Sequence, residues 1–336
     1  MKVLITGATG QTGAWLCHYL IDNRPDVEIH CTKRWRSDMS NTGYFKNKVH
    51  WHLVDLIEEN SVRELIADVR PDKIFHYAAE SYVKQSWDEP WKYTEQNVKP
   101  IINIQNAILG VNNIRSYDAR HRRLIYNPKV FVALSSEQYG LVKHGTMITE
   151  ETLIAPASPY GATKVMCENL CEIAWRSYGM NFLRIRTFNN ESPFRGEIFV
   201  TANFIKQVVM MEKGLQDKVL YVGNIDSVRD WTDSRDQVRA AWLATEKCDP
   251  NEVYQICSGK AYTIRKFIEK IQEIAKVEFE VKVDPNRIRP NDVTWLLGSP
   301  SKFKEVTGWE PEYDFMDQTV PEMMKYWRSK ILLPSS

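Results

Sequence analysis

Apolar residues in the first half of the chain follow two alternating patterns. Short, strongly apolar runs, of the kind found in buried strands, are KVLITG, VEIHCTKR, VHWHLVDL, KIFHYAAE, KVFVALSS and NFLRIRTF. Between them lie amphipathic stretches typical of helices, namely GAWLCHYLIDN, SVRELIADVR, a long segment through Asn97 to Leu109, and residues 160–178. Strands that alternate with helices of about 10 to 15 residues predict βαβ units and a parallel sheet.

Beyond residue 188 the pattern changes, because prolines and glycines interrupt shorter apolar stretches. This spacing predicts a smaller lobe of mixed helices and strands. We therefore predict an α/β protein with a Rossmann-type, doubly wound parallel sheet over residues 1–185. A substrate-binding lobe is predicted over residues 186–336, with some later segments crossing back to the first domain.

The composition narrows the class of protein. Of the 336 residues, 43% are hydrophobic and 26% are charged, which is ordinary for a globular chain in water. The formal net charge of +1 provides no overall field for nucleic acid or an anionic membrane. The chain begins MKVLITG, which is unlike a secretory leader, and no apolar run approaches the roughly 18 residues of a membrane span. We expect a cytoplasmic protein with neither a nucleic-acid nor a membrane partner.

Cysteine and histidine positions do not indicate a metal site. The six cysteines include no CxxC pair, and we expect free thiols in a reducing cytosol. His50 and His52 alternate along one predicted strand, but no third ligand lies near them in sequence. We therefore expect no bound metal.

A glycine-rich turn stands between the first strand and the first helix. KVLITGATGQTGAWL has glycines at the spacing GxxGxxG. Such glycines let the backbone approach a pyrophosphate, and N–H groups at the start of the following helix point towards it. The strand–turn–helix context therefore predicts dinucleotide binding. The contacting residues predicted in this turn are Gly7, Thr9, Gly10, Gln11, Thr12 and Gly13.

The end of the second strand indicates which dinucleotide is bound. An NAD site usually has a carboxylate here for the ribose 2′-hydroxyl, but this chain has Lys33, Arg34 and Arg36. Guanidinium groups pair well with phosphate oxygens, so these cations favour the 2′-phosphate of NADP. The other predicted cofactor contacts follow the third and fourth strands and are Asp55 (beside the adenine), Leu56, Tyr77, Ala78, Ala79 and Ser81.

One predicted helix carries a tyrosine and a lysine that suit proton transfer. SPYGATK places Tyr160 and Lys164 four residues apart, on one helix face. An ammonium group favours a nearby phenolate, so we expect Lys164 to lower the pKa of Tyr160 from its usual value of about 10. A tyrosinate beside a nicotinamide would accept a proton from a sugar hydroxyl while the same carbon is oxidised. Ser135, at the end of the fifth strand, would hydrogen-bond that hydroxyl.

Several motifs together resemble those of one enzyme family. They are GATGQTG, KRWRSDMSNTG, SSEQYG, SPYGATK, FNNESPFRGEIFVT, GNIDSVRDW and RPNDVTWLLG. Over essentially its whole length, the chain resembles the extended short-chain dehydrogenase/reductases that act on nucleotide sugars, and among them the GDP-mannose 4,6-dehydratases. The resemblance implies a lyase that forms GDP-4-keto-6-deoxymannose by oxidation at C4, loss of water across C5 and C6, and return of hydride to C6.

The resemblance also implies roles for matching positions. Ser135 matches the catalytic serine or threonine and Glu137 the acid/base glutamate, and Ser136 is expected to help relay the proton. Tyr160 and Lys164 match the pair that assists oxidation. The positions that line the substrate cleft or hold the GDP portion are Ser81, Ser86, Glu137, Asn189, Glu191, Arg195, Val222, Arg229, Arg289 and Asp292. Of these, Arg229 and Arg289 suit the diphosphate and the ribose.

Other functions stay open on the sequence alone. A reductase of GDP-4-keto-6-deoxymannose shares VRDWTDSRD and the glutamate, and another nucleotide-sugar dehydratase or an epimerase uses related chemistry. A non-catalytic dinucleotide-binding protein is disfavoured, because it would not need the serine, glutamate, tyrosine and lysine together. Glu80 replaces a common glutamine, Ala202 and Asn203 replace a basic pair, and segment 110–128 is long, so the base and sugar stay open. The family implies a homodimer through paired helices, or a homotetramer that also uses the RWRSDMSNTG loop.

Overall fold

The computed structural model describes residues 1–114, 124–287 and 291–331. The middle of segment 110–128 and the predicted substrate residue Arg289 therefore lie outside the described residues. The strands are β1 (Lys2–Thr6), β2 (Glu28–Lys33), β3 (His50–Leu53), β4 (Lys73–His76), β5 (Lys129–Ala133), β6 (Phe182–Thr187), β7 (Asn189–Glu191), β8 (Val219–Val222), β9 (Val228–Asp233), β10 (Val253–Ile256), β11 (Ala261–Thr263) and β12 (Glu280–Val283). The helices are α1 (Gln11–Asn23), α2 (Glu59–Val69), α3 (Pro90–Val111), α4 (Pro159–Tyr178), α5 (Val200–Glu212), α6 (Ser234–Lys247), α7 (Ile264–Ile274), α8 (Ser301–Thr307) and α9 (Val320–Lys330).

The larger sheet has seven parallel strands in the order β10–β6–β5–β4–β1–β2–β3. The predicted Rossmann-type parallel sheet and its alternation with helices are confirmed. The order reverses between β1 and β4, because β2 and β3 extend the sheet on one side and β5 and β6 on the other. In such sheets, ligands bind at the carboxyl ends of the strands beside this reversal.

Helices cover both faces of this sheet. Val3 and Ile5 of β1 pack in a core with α1 and α6, whereas Leu4 packs in a core with α2, α3 and α4. Strand β4 is buried at every position. Burial on both faces explains why these strands are continuous apolar runs in the sequence instead of alternating apolar and polar residues.

The smaller lobe contains a three-stranded sheet, β11–β9–β7, and the pair β12–β8. Its core includes Trp231 and Phe315, whose ring centroids lie 4.6 Å apart, and the buried Phe267 of α7. Part of the same half of the chain returns to the large sheet: β10 forms its edge strand, and α6 and α8 contribute Trp242 and Phe303 to its core.

The two sheets are connected with almost no linker. β6 ends at Thr187 in the large sheet, and β7 begins at Asn189 in the small one. The NNESPFRG run, residues 189–196, therefore lies where the two lobes meet. Within the described ranges, no helix has the length and apolar character needed to cross a bilayer. All six cysteines are buried and unbridged.

A buried histidine at the end of β4 links stability to pH. Nδ1 of His76 lies 2.8 Å from the hydroxyl of Thr6, and burial lowers the pKa of His76 from 6.5 to about 3. Between those values the unfolded chain binds the proton and the folded chain does not, so the free energy of unfolding falls as the pH falls. From neutral pH to pH 5 this one group should cost about 2 kcal/mol.

His76→Asn should remove that part of the pH dependence, because the amide keeps an acceptor for Thr6 but does not titrate in this range. Urea denaturation of wild type and variant at several pH values between about 7.5 and 5 measures the difference. His144→Asn is the matched control, because His144 is exposed. A His76→Asn variant whose stability falls with acid as steeply as that of wild type would contradict the assignment.

Candidate active site

A cleft of about 1080 Å³ lies between the two lobes, at the carboxyl ends of β1, β4 and β5. This is close to the upper end of the roughly 300–1,000 Å³ range of small-molecule sites. Most of the predicted site residues line it. They are Gly7, Gly10, Gln11, Thr12, Gly13, Tyr77, Ala79, Ser81, Ser135, Ser136, Glu137, Tyr160, Lys164, Asn189, Glu191, Arg195, Arg229 and Asp292.

The turn that follows the carboxyl end of β1 requires glycine at two positions, Gly7 and Gly13, for steric reasons. Gly7 has φ +72°, and a β-carbon there would lie 2.8 Å from the backbone nitrogen of Ala78. A β-carbon on Gly13 would lie 2.3 Å from the carbonyl oxygen of Gly7. The turn therefore brings the start of α1 against β1, so that the first N–H groups of α1, which have no partner within the helix, face the cleft. This arrangement fits the pyrophosphate of a dinucleotide.

Two side chains at the start of α1 hold the second lobe. The amide nitrogen of Gln11 lies 2.7 Å from Oγ of Ser234 and 2.9 Å from Oγ of Ser192, and Thr12 donates to the side-chain oxygen of Asn190 at 3.0 Å. Both residues were predicted to contact the cofactor. In the structure both residues line the cleft, and their side chains also connect the glycine turn to the NNESPFRG run and to Ser234.

A short 3-10 turn after β5 carries the predicted acid/base residue. Oγ of Ser135 accepts the N–H of Glu137 at 3.2 Å, and the side chain of Gln138 accepts the N–H of Ser135 at 3.1 Å. These two bonds form a capping box, which fixes the turn. The turn places Ser135, Ser136 and Glu137 in the cleft wall.

The tyrosine and lysine project from the first turns of α4. Oγ of Ser158 caps this helix by accepting the N–H of Gly161 at 3.1 Å. Tyr160 is buried and hydrogen-bonded to Ser135, which joins α4 to the turn after β5. Nζ of Lys164 donates to the carbonyl of Ala133 at 2.8 Å and lies 5.8 Å from the centre of the Tyr160 ring.

The expected lowering of the pKa of Tyr160 is wrong for this structure. Burial raises the pKa of Tyr160 to about 12, and the negative charge of Glu137 acts in the same direction. The interaction with Ser135 and the Arg195 guanidinium both lower this pKa, but their effect is smaller than that of burial. Lys164 is held by a backbone carbonyl, and burial lowers its own pKa. Sequence spacing showed that the two residues share a helix face, but it did not show how strongly the phenol is desolvated.

On the substrate side, a buried cation and a buried anion lie together. The guanidinium of Arg195 donates to the side-chain oxygen of Gln11 at 3.1 Å and lies 3.4 Å from the centre of the Phe199 ring. Its Nε is 3.4 Å from Glu191, without hydrogen-bond geometry. Burial lowers the pKa of Arg195 and raises that of Glu191, and each group opposes the shift of the other. Farther along the cleft, Asp292 accepts bonds from Asn224 at 3.2 Å and Ser227 at 3.3 Å.

Several predicted cofactor residues lie outside the described wall of the cleft. The cation cluster lies at the end of β2 and at the start of the loop that follows it. The guanidinium of Arg34 donates to the side chain of Gln96 at 3.3 Å, and Nζ of Lys33 lies 5.5 Å from the centre of the Trp51 ring. Arg36 is exposed. The others are Thr9, Asp55, Leu56 and Ala78. The carbonyl of Thr9 accepts a hydrogen bond from Asn41, and the side chain of Asp55 accepts the N–H of Ile57. Leu56 is buried in the core, and Ala78 packs on Gly7.

Two residues that were predicted to line the substrate cleft, Ser86 and Val222, are not part of its described wall, and their contact with substrate stays a prediction. The buried hydroxyl of Ser86 donates to the carbonyl of Val83 at 2.7 Å and accepts the N–H of Tyr160 at 3.2 Å, so it supports α4. The side chain of Val222 is buried in the core of the smaller lobe.

The cleft also contains residues that the sequence analysis did not single out. They include Asn41, Lys84, Phe199, Lys206 and Arg287. Asn41 belongs to the RWRSDMSNTG stretch and Phe199 to the FNNESPFRGEIFVT stretch, so the motifs pointed to both regions without identifying these positions. Lys84 and Arg287 had no motif that would have found them.

Known proteins are similar to this chain in sequence and in fold. The family model for GDP-mannose 4,6 dehydratase matches residues 4–323. A GDP-mannose 4,6-dehydratase of Yersinia enterocolitica is 32% identical to the chain, with 96% of this chain and 91% of the relative covered. A GDP-6-deoxy-D-mannose reductase of Pseudomonas aeruginosa is 30% identical, with 83% and 88% covered. A Pseudomonas aeruginosa protein solved in complex with NADPH superposes with a TM-score of 0.80 at 27% identity, with 98% of this chain and 99% of that chain covered.

Proposed function

Because the chain belongs to the GDP-mannose 4,6-dehydratase family, we propose that it converts GDP-mannose into GDP-4-keto-6-deoxymannose and water. One observation carries the proposal: a carboxylate and a phenol that can serve two different proton transfers line the same cleft. Glu137 lies in the turn after β5 and Tyr160 in the first turn of α4. Oγ of Ser135 accepts the backbone N–H of Glu137 and interacts with the phenol of Tyr160.

The proposed cofactor is NADP, held at the start of α1 with the nicotinamide towards Tyr160. The fit of the glycine turn to a pyrophosphate and the cations at the end of β2 support this choice. When bound, the nicotinamide would supply reversible hydride transfer, from C4 at the start and to C6 at the end, and in its oxidised form a positive charge that would favour the Tyr160 phenolate.

In the oxidation step, Tyr160 takes the proton of the C4 hydroxyl. Ser135 hydrogen-bonds the same C4 hydroxyl, because its Oγ lies beside the phenol of Tyr160. Lys164 keeps its position through the Ala133 carbonyl and contributes positive charge behind the phenol. The positive charge of Arg195 also favours the ionised form of Tyr160.

In the elimination step, Glu137 removes the proton from C5, which is acidic because the neighbouring C4 ketone stabilises the resulting negative charge. The same carboxyl group then protonates the C6 hydroxyl, which leaves as water, and Ser136 relays protons beside it. A single carboxyl group can take both roles, because it is ionised when it accepts the C5 proton and is then protonated when the C6 hydroxyl leaves. When hydride returns to C6, C5 takes a proton from solvent through the Glu137 carboxyl group, and Tyr160 releases to solvent the proton that it took from the C4 hydroxyl. The final product has a C4 ketone and a C6 methyl group, and the protons balance.

The alternative with specific support is reduction of a 4-keto sugar, since the chain is 30% identical to a GDP-6-deoxy-D-mannose reductase. Reduction at C4 needs Tyr160, Lys164 and Ser135 but gives Glu137 no task. Because such reductases carry the same glutamate, Glu137 alone does not separate the two functions. The match of residues 4–323 to the dehydratase family model favours the dehydratase.

Mass spectrometry distinguishes the two functions. Purified protein with GDP-mannose and a catalytic amount of NADP should yield a product lighter by one water, without net formation of NADPH. A separate incubation with NADPH and a GDP-4-keto-6-deoxyhexose tests the reductase. Stoichiometric consumption of NADPH there, together with no water loss from GDP-mannose, would contradict the dehydratase assignment.

The cation cluster gives a test of cofactor preference. Arg34→Ala/Arg36→Ala should raise the KM for NADP by about 10- to 100-fold, because one charged hydrogen bond to phosphate contributes about 1.5–3 kcal/mol and the exposed Arg36 adds little to it in water. The KM for NAD should change by less than about threefold. The control Lys46→Ala/Lys48→Ala removes the same charge from the same loop. If the double arginine variant loses affinity equally for both dinucleotides, the 2′-phosphate assignment is wrong.

A homodimer is proposed through α3 and α4. Trp91, Met166 and Ile173 on these two helices are 77%, 45% and 53% exposed, although the helices pack on each other. A second copy would cover such apolar side chains. Light scattering on the purified protein gives the molar mass, and a mass of one chain at all concentrations would contradict this proposal.

A further inference from the structure

A buried glutamine connects the acid/base turn to the helix that carries the tyrosine. Gln138 follows Glu137 and is fully buried. Its side-chain oxygen accepts the N–H of Ser135 at 3.1 Å, and its side-chain nitrogen donates to Glu168 at 2.7 Å. The amide thus uses both of its ends, one on the turn and one on α4.

The glutamate on α4 is held in turn by a buried arginine. Glu168 lies four residues after Lys164 and eight after Tyr160, so it continues the same side of α4. Arg186 of β6 contacts both of its carboxylate oxygens, at 2.9 and 2.5 Å. Arg186 also donates, at 3.0 Å, to the hydroxyl of Tyr139, which is the residue that follows Gln138. A bidentate pair of this kind fixes the carboxylate in orientation as well as in distance.

The backbones of the turn and of α4 are in direct contact. A β-carbon at Gly161 would lie 2.7 Å from the carbonyl oxygen of Glu137. Gln138, Glu168 and Arg186 lie behind this contact and are not part of the described wall of the cleft. They therefore act on the reaction only through the residues that they hold.

We propose that Gln138 is a positioning residue that, through the buried Gln138–Glu168–Arg186 network, sets the place of the Glu137 carboxylate relative to the Tyr160 hydroxyl. The inference rests on the proposed dehydratase function, in which these two groups must act in succession on neighbouring carbons of one hexose. Oxidation at C4 depends mainly on Tyr160 and Lys164 of α4, and the hydroxyl of Ser135, which assists it from the turn, also interacts with Tyr160 itself. Proton removal at C5 depends on a short turn whose N–H of Ser135 is bonded to Gln138.

Gln138→Leu should therefore slow water loss more than it slows oxidation. Leucine has a similar size but cannot bond to Ser135 or to Glu168. Displacement of a reacting group by about 1 Å costs on the order of 100-fold in rate. We expect loss of water to slow by about 10- to 100-fold, and deuterium uptake at C5 in heavy water to slow with it. The rise of reduced-nicotinamide absorbance in a single turnover measures oxidation, and its slowing should be smaller than that of water loss by a factor of about ten.

A second variant provides a pH readout that a purely structural role would not give. Gln138→Glu keeps an acceptor for the N–H of Ser135 but places a carboxyl group against Glu168. When protonated, the introduced group can donate to Glu168 as the amide does, and when ionised it repels Glu168. The defect in water loss should therefore shrink as the pH is lowered from about 8 to 6, relative to wild type at each pH.

The matched control is Gln105→Leu. Gln105 also donates its amide to α4, at the carbonyl of Leu170 at 3.1 Å, but it does not touch the turn after β5. It should leave both steps within about threefold of wild type. Equal slowing of oxidation and water loss by Gln138→Leu, or a Gln138→Glu defect that does not change with pH, would overturn the proposal. Failure of wild type to remove water from any GDP-hexose would instead overturn the proposed function.

Discussion

Glu137→Gln should abolish water loss while oxidation at C4 continues. The amide has nearly the same shape as the carboxylate but cannot take the C5 proton or give one to the C6 hydroxyl. General acid–base groups contribute about 10²- to 10⁴-fold, and Glu137 is assigned both roles, so we expect a loss of at least about 10³-fold in product formation. Single-turnover absorbance should still show reduced nicotinamide, which in this variant would persist.

The surface carboxylate Glu89 provides the control for this substitution. It forms an ion pair with Lys92 at the start of α3, and Glu89→Gln should leave turnover unchanged. Affinity for the dinucleotide should be the same in wild type and in both variants, because Glu137 lies on the turn after β5 and not at the start of α1. Undiminished water loss by Glu137→Gln would remove Glu137 from the mechanism.

Tyr160→Phe should stop the reaction one step earlier, before any reduced nicotinamide forms. The phenol is the group that takes the C4 proton, and its loss also removes the interaction between Tyr160 and the hydroxyl of Ser135. We expect oxidation at C4 to slow by about 10²- to 10⁴-fold. Stopped-flow absorbance measures this phase directly, and deuterium uptake at C5 should fall with it, because no ketone forms to acidify C5.

A neighbouring tyrosine separates loss of a catalytic hydroxyl from loss of packing. The ring of Tyr93 contacts that of Tyr160 edge to face, with centroids 6.5 Å apart, and its hydroxyl donates to the carbonyl of Tyr82 at 2.6 Å. Tyr93→Phe removes a buried hydroxyl from the same cluster and should slow oxidation by less than about tenfold. If the two variants slow oxidation equally, Tyr160 has no special part in proton transfer.

The sheet and the main site motifs could be predicted from sequence because their causes are local. Apolar runs such as KIFH must be buried on both faces, and glycine is required at Gly7 and Gly13 by close backbone approach. A motif at the end of a strand of a parallel sheet also has a predictable place. Consequently the glycine turn, the SSE turn and the start of α4 were expected to meet, and they line one cleft.

Other features depend on contacts between residues far apart in the chain. The side chain of Gln11 belongs to the cofactor motif by sequence, yet it bonds to Ser192 and Ser234, more than 180 positions later. The pKa of Tyr160 depends on how completely the fold excludes water from the phenol, which spacing to Lys164 does not reveal. Ser86 lies in a motif-like position, but its hydroxyl is taken up by backbone groups.

The contacts of Gln11 also indicate how the two lobes act together. The same side chain accepts a bond from Arg195, which lies in the cleft beside Glu191 and Tyr160. The start of α1, where the dinucleotide is proposed to bind, is therefore one hydrogen bond away from a cation on the substrate side. Packing of this kind keeps the cofactor site and the hexose site in a fixed relation.

Tracing hydrogen from C4 of the substrate tests the central claim, that one cleft oxidises, dehydrates and reduces the same hexose. GDP-mannose with deuterium at C4 would be converted in ordinary water with unlabelled NADP, and the product would be analysed by NMR and mass spectrometry. We predict one deuterium at C6 of the product and none in free NADPH or in the solvent. Deuterium that accumulates in free NADPH, or that stays at C4, would contradict the account.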